Sequence, residues 1–242
     1  MRALVLAAGL GTRLRPLTTV LAKPAMPVAG EPIVRRIVAW LARQQIVDIV
    51  VNLHHLPHTI TAALGDGSDL GAQVRYSWEQ PEVLGSAGGP RQALDIIGED
   101  TFLIVNGDTL TDLRLAPLVE DHRTSGALVT LTLTPNRSPE SFGGVLLDSA
   151  GRVTGFVRKG AEAVGSYHFF STQVVSADVF APLERGRPAA TIGGVYDRLI
   201  AERPGAIRGH VTDAAYWHIE TVDEYERTSA AIASLESDTN YR

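Results

Sequence analysis

The stretch Leu6-Ala7-Ala8-Gly9-Leu10-Gly11-Thr12-Arg13-Leu14-Arg15-Pro16-Leu17-Thr18, with Lys23-Pro24 close behind it, sets both the fold and the chemistry of this chain. Residues 2–6 form an apolar run short enough for a buried first strand. That strand leads into two small residues, then two glycines flanking a leucine, then a threonine and an arginine. A strand opening into a glycine-rich turn lets backbone N–H groups approach a polyphosphate closely. Arg13, Arg15 and Lys23 stand where they can neutralise its charge. Glycine suits the turn because a Cβ would hold phosphate away from the amides.

Two common phosphate loops fit poorly. A dinucleotide fingerprint needs a third glycine where Leu14 sits, which argues against a dinucleotide-dependent oxidoreductase. A Walker A loop needs Gly-Lys-Ser/Thr after its first glycine, and none is present.

The chain has 242 residues, enough for one large domain with a substantial core. Its formal net charge of −5 disfavours nonspecific nucleic-acid binding. With no cysteine, disulfides, thiolate zinc sites and cysteine nucleophiles are excluded. The first apolar run breaks at glycines and arginines, unlike a signal peptide, and no segment is long and apolar enough to cross a bilayer. No membrane or nucleic-acid partner is expected, and the expected compartment is the cytoplasm.

Strand-like runs alternate with helical patterns, which predicts an α/β fold with a mainly parallel, Rossmann-like open sheet and helices on both faces. The predicted helices cover 33–44, 57–64, 87–97 and 115–123; the predicted strands cover 46–53, 74–78, 101–105 and 127–134. From Gly143 the rhythm changes to short strands at 144–147, 153–157 and 167–170, a smaller antiparallel layer laid against the first half. Helices are expected over 177–183, 192–202 and 222–235, and a frayed end over 237–242. No linker divides the chain. Residues 1–242 read as a single domain, with 1–135 mainly for nucleotide and 136–236 mainly for the second substrate.

Asn106-Gly107-Asp108 follows directly on the most apolar strand. Ligands of open parallel sheets collect at the carboxyl ends of strands, so Asp108 stands where a hard cation would meet a phosphate. His54-His55 has no third ligand at metal spacing and reads as a structural turn.

The opening stretch, then Lys23-Pro24-Ala25-Met26-Pro27-Val28 and Gly30-Glu31-Pro32-Ile33, resembles the signature of the sugar-1-phosphate nucleotidyltransferases. Leu84-Gly85-Ser86-Ala87-Gly88, Asn106-Gly107-Asp108, Phe142-Gly143-Gly144-Val145, the segment ending in Arg158-Lys159, and Tyr216-Trp217-His218-Ile219-Glu220-Thr221 resemble its later motifs. The likeness runs from residue 1 to about 230 and suits the short bacterial branch, with no hexapeptide repeat of a β-helix tail. It implies a reaction of an NTP with a sugar-1-phosphate, of uridylyl- or guanylyltransferase type, with Mg²⁺ as cofactor.

The resemblance assigns roles position by position. Arg13 and Lys23 are catalytic, and Leu6, Ala8, Gly9, Gly11, Thr12, Arg13, Gln80, Gly85 and Ser86 bind nucleotide. Asn106, Gly144 and Lys159 bind the sugar phosphate, and Asp108 binds metal. Three positions depart from the pattern: Arg158 stands for a glutamate, Gly160 for a proline, and His218 for the second metal-binding aspartate. Imidazole is a poor magnesium ligand. Glu220 or His218 completes the metal site, or Asp108 holds it alone, or the chain is a weakly catalytic nucleotide-sugar-binding regulatory relative. Oligomeric state stays open.

Overall fold

In the computed structural model, which describes residues 1–238, β1 (Ala3–Leu6) lies inside a nine-stranded sheet. A short hairpin of β2 (Pro27–Val28) and β3 (Glu31–Pro32) leads into α1 (Ile33–Arg43). The chain then alternates through β4 (Asp48–Leu53), α2 (Pro57–Leu64), β5 (Gln73–Trp78), α3 (Gly85–Ile97) and β6 (Thr101–Asn106). After β7 (Thr109–Thr111) and α4 (Leu115–Ser125) come β8 (Val129–Pro135), β9 (Gly144–Leu147), β10 (Val153–Val157) and β11 (Tyr167–Ser176). The chain closes with α5 (Tyr196–Glu202), β12 (Ile207–Val211), β13 (Tyr216–His218) and α6 (Val222–Ser237).

The strand order is β10-β9-β11-β6-β1-β4-β5, with β8 on β11 and β12 on β8. The run β6-β1-β4-β5 is parallel throughout. Its strands are apolar on both faces because both faces are covered. Ala3 and Val5 of β1, with Leu103 and Val105 of β6, pack under α1, α2, α4 and α6; Leu4, Phe102 and Ile104 pack under α3 and α5. α1 shows how the helices are specified. Ile33, Val34, Ile37, Val38 and Leu41 fall on one stripe, and all five are buried. α6 begins with a capping box between Thr221 and Glu224, which satisfies two otherwise orphaned N–H groups.

The mainly parallel sheet with helices on both faces is as expected. The antiparallel strands are arranged differently. They continue the same sheet, because β11 extends to Ser176 and pairs with β6 along Thr172–Ser176, with β8, and with β9 at Tyr167. Two predicted helices shrink. Only a single turn at Ala177–Val179 forms in the first, and the second starts at Tyr196 because Ile192–Gly194 leave helical geometry, with Gly193 left-handed. The frayed end expected over 237–242 falls mostly outside the described residues; Ser237 still closes α6.

Candidate active site

The loop after β1 is held open by its own packing. Gly11 is left-handed (φ +60°) and its carbonyl accepts a hydrogen bond from Thr18 Oγ1 at 2.7 Å. A tight turn over Thr12–Leu14 follows, which buries Leu14 and leaves Arg13 exposed. Lys23 begins a second such turn whose Pro24 and Ala25 are buried, so the lysine stem is fixed in direction. These segments wall a cavity of about 390 Å³, lined by Leu6, Gly9, Gly11, Thr12, Arg13, Lys23, Asp108 and Glu220 among others. Eight of the residues singled out from the sequence therefore share one space.

Asp108 sits at its floor. Gly107 N–H donates to the Leu6 carbonyl at 2.9 Å, which ties the ends of β1 and β6 together. Lys23 Nζ donates to Asp108 Oδ2 at 2.7 Å. Burial alone would push the Asp108 carboxyl up. The Lys23 ammonium, then His218, and hydrogen bonds from Lys23 and Thr109 outweigh it and hold the carboxyl below the ordinary carboxylate value.

The pairing of β7 with β13 brings a distant segment alongside. Thr109 faces His218 in register, and Ile219 N–H donates to the Asp108 carbonyl at 3.1 Å. Thr109 Oγ1 donates to Asp108 Oδ1 at 3.2 Å and lies 3.1 Å from His218 Nδ1. His218 Nε2 is 3.2 Å from Glu220 Oε1, and Glu220 in turn pairs with Arg13. One polar chain thus runs Lys23–Asp108–Thr109–His218–Glu220–Arg13 around the cavity. Both nitrogens of His218 are committed within it. Among the described residues, no three His, Asp or Glu side chains converge as a preformed metal cage. Thr109 went unnoticed in the sequence, though its place beside Asp108 is a signal that could have found it.

The remaining candidates lie outside this cavity. Ala8 is buried under the loop, and Asn106 ends β6 opposite Leu6. Gln80 is exposed. Ser86 Oγ accepts from Thr191 N–H at 2.9 Å and lies 3.0 Å from Thr191 Oγ1, so its hydroxyl anchors the turn before α5; Gly85 precedes it at the start of α3. Gly144 pairs with Val157, two residues before Lys159, whose side chain is exposed. An aromatic stack joins that region to the cavity. The Phe142 and His168 rings are 4.4 Å apart, His168 and Tyr216 5.6 Å, and Phe142 meets His218 edge-on at 6.2 Å. Burial, helped by the His218 charge, pushes His168 down to about 4. The two adjacent histidines form a structural turn: His54 bonds the Glu79 carbonyl and His55 the Thr18 carbonyl.

A mainly parallel sheet with a glycine-rich turn, two cations and a carboxylate gathered at its strand ends defines an α/β protein of the Rossmann-like class. Comparison with known proteins narrows the class. The chain belongs to the nucleotidyl transferase family, whose profile matches residues 2–218. It is 34% identical over 229 residues to mannose-1-phosphate guanylyltransferase of Mycobacterium tuberculosis, covering 94% of this chain and 63% of that protein, so it spans less than two thirds of that relative's length. It is 36% identical over 197 residues to N-acetylmuramate alpha-1-phosphate uridylyltransferase of Neisseria meningitidis, covering 77% of this chain and 84% of that protein. The structure of HddC from Yersinia pseudotuberculosis superposes with a TM-score of 0.82 at 21% identity, covering 96% and 99% of the two chains, and shares the fold.

Proposed function

We propose that the protein joins an NTP and a sugar-1-phosphate to give an NDP-sugar and pyrophosphate. The observation that carries this reading is the Lys23–Asp108 pair at the floor of the cavity walled by the glycine-rich turn. In the reaction, an oxygen of the sugar phosphate attacks the α-phosphorus of the NTP in line. A new P–O bond forms as the bond to the bridging oxygen breaks, and the electron pair leaves with pyrophosphate. A phosphate monoester is already anionic at neutral pH, so no protein base or nucleophile is required. Catalysis is positioning and charge neutralisation.

The amides of residues 9–12, on the backbone that Leu6 and Ala8 lead into, and the exposed Arg13 guanidinium hold the β- and γ-phosphates. Lys23 stabilises charge developing at the α-phosphate. Gln80 and the backbone of Gly85 and Ser86 meet the base, since the Ser86 hydroxyl is already engaged. Gly144 and Lys159, with Asn106 from the end of β6, receive the sugar phosphate, which makes 136–236 mainly the sugar side and 1–135 mainly the nucleotide side of one domain. Guanine or uracil is the base, on the precedent of the relatives' names.

The donor set fits Mg²⁺: Asp108 is a hard oxygen ligand held ionised beside the cavity, and Glu220 offers a second carboxylate on its rim. Bound there with phosphate oxygens and water, the ion would neutralise the repulsion between the two anionic substrates. His218, with both nitrogens engaged, is left out of that set. An NTP and a phosphorylated sugar place the work in the cytoplasm. A second reading, nucleotide-sugar binding without turnover, is favoured by His218 standing at a metal-ligand position.

A pyrophosphate-release assay over UTP, GTP and dTTP against mannose-, glucose- and N-acetylmuramate-1-phosphate decides the matter. Mg²⁺-dependent release with one pair is expected. Saturable NDP-sugar binding with no release from any pair would establish the second reading.

A further inference from the structure

A buried carboxylate lies beneath the cavity wall, and none of the chemistry above uses it. Glu79 is 1% exposed, at the carboxyl end of β5. Its Oε1 accepts from Asn52 Nδ2 at 2.6 Å and its Oε2 from the Leu84 backbone N–H at 2.6 Å, at the start of α3. Asn52, 2% exposed at the end of β4, turns its Oδ1 to the Ala7 backbone N–H at 2.6 Å. Each of the three acceptor oxygens takes one short bond from this set of donors. The chain Ala7–Asn52–Glu79–Leu84 thus links the ends of β1, β4 and β5 to the first turn of α3.

Its two ends matter. Ala7 lines the cavity where the glycine-rich turn begins, and Val83, next to Leu84, lines it from the other side. The packing leaves no slack. A Cβ on Gly89 would stand 2.6 Å from Glu79 Oε1 and 2.8 Å from Asn52 Nδ2, so the backbone of α3 presses directly on the pair. An anion under a helix N-terminus is also favoured by the helix dipole.

We infer that Glu79 and Asn52 are positioning residues that set the spacing between the phosphate-holding turn and the segment leading into α3, and so the affinity for nucleotide. This rests on the nucleotide reading of the cavity. Neither side chain touches substrate. They act through the Ala7 and Leu84 amides, and the sugar-phosphate side is outside their reach.

The hydrogen-bond count gives a sharp test. In Glu79→Gln, only two acceptor oxygens serve the same donors, and one buried N–H is orphaned. In Asn52→Asp, two carboxylates face each other. In the double variant Asn52→Asp/Glu79→Gln, the carboxylate now at position 52 accepts from the Ala7 N–H and from the new amide at position 79. That amide's oxygen accepts from Leu84, so all three bonds return with one negative charge. Calorimetric titration with UTP, GTP and dTTP in Mg²⁺, and KM for nucleotide and for sugar-1-phosphate, are measured on all four proteins alongside thermal melts. Each single variant is expected to weaken nucleotide binding tenfold or more with the KM for sugar phosphate within twofold. The double variant is expected to recover to within about threefold of wild type. Singles that bind nucleotide as well as wild type, or a double no better than the singles in folding or binding, overturn the inference alone. A wild-type chain that binds none of the three nucleotides overturns both it and the reading beneath it.

Discussion

The inner and outer ends of the cavity each hold one cation against one carboxylate, yet the two pairs behave differently. At the floor, the Lys23 and Asp108 side chains are 12% and 27% exposed; at the rim, Arg13 is 67% exposed against Glu220 at 26%. Charges taken this far from water depend on each other, because removing one leaves the other desolvated and unpaired. A pair open to solvent contributes little and exchanges partners readily. The inner pair is therefore a fixed part of the floor. Despite burial, its carboxylate is held below the ordinary carboxylate value, above all by the lysine beside it. Under the proposed function the outer pair is a placeholder, from which an incoming triphosphate would take Arg13 at small cost.

The largest effect is expected at the floor. Asp108→Asn should lower Mg²⁺-dependent turnover by about 10²–10³-fold, the scale of losing one preorganised electrostatic group, with a lower but still cooperative thermal melt because Lys23 loses its partner. Turnover that stays Mg²⁺-dependent and undiminished would remove Asp108 from the site. Lys23→Met should cost about 10²-fold, mostly in kcat, because its charge acts on the reacting phosphate. A change confined to the KM for nucleotide would make Lys23 a rim-like residue and erase the contrast.

The aromatic stack beside the cavity carries its own titration. The fold keeps His168 neutral down to about 4, whereas the unfolded chain takes up a proton near the ordinary histidine value. The unfolded state then binds more protons between those two values, so stability is fully present above about pH 6.5 and is lost as pH falls toward 4. Denaturant melts at pH 7 and pH 5 should show wild type losing about 2 kcal/mol more than His168→Phe, which keeps an aromatic ring between Phe142 and Tyr216. Equal losses would place His168 in a solvated setting.

The residues at both ends of the cavity were legible in the sequence, but the pairing of Arg13 with Glu220 was not, for a physical reason. Gly9, Gly11, Arg13 and Lys23 sit in one local stretch, where small residues and cations have no packing excuse. Asp108 follows a run apolar enough to mark a buried strand. The link that closes the cavity is non-local. Glu220 reaches Arg13 across 207 positions, and it does so only because two three-residue strands, β7 and β13, pair. Strands that short have no periodicity to read, and their existence depends on partners elsewhere in the fold. The sequence pattern stops β11 short for a related reason. Ser171 takes φ +71° and the register shifts between Phe169 and Gln173, so the alternation breaks in the middle of a continuous strand. Asn52 and Glu79 were hidden because a buried polar residue at a strand end looks like a loop boundary until its partners are known.

At the rim, Arg13→Ala should raise the KM for nucleotide about tenfold, the loss of one charge-assisted contact, and leave the melt nearly unmoved. A stability loss as large as that of Lys23→Met would show the outer pair to be structural after all.

The smallest change is also the most diagnostic of how the two ends are coupled. His218 touches both: through Thr109 it reaches Asp108, and through Nε2 it reaches Glu220. His218→Asp removes an imidazole that is a poor magnesium ligand and puts a carboxylate between two others. Three carboxylates repel one another in the absence of a cation and gain most from one that arrives, so the Mg²⁺ concentration for half-maximal turnover should fall a few-fold. The same repulsion should loosen Glu220 from the network and leave Arg13 to the triphosphate. An unchanged Mg²⁺ dependence would mean that position 218 acts only as a strut between floor and rim, and that the cation is held from the Asp108 side alone.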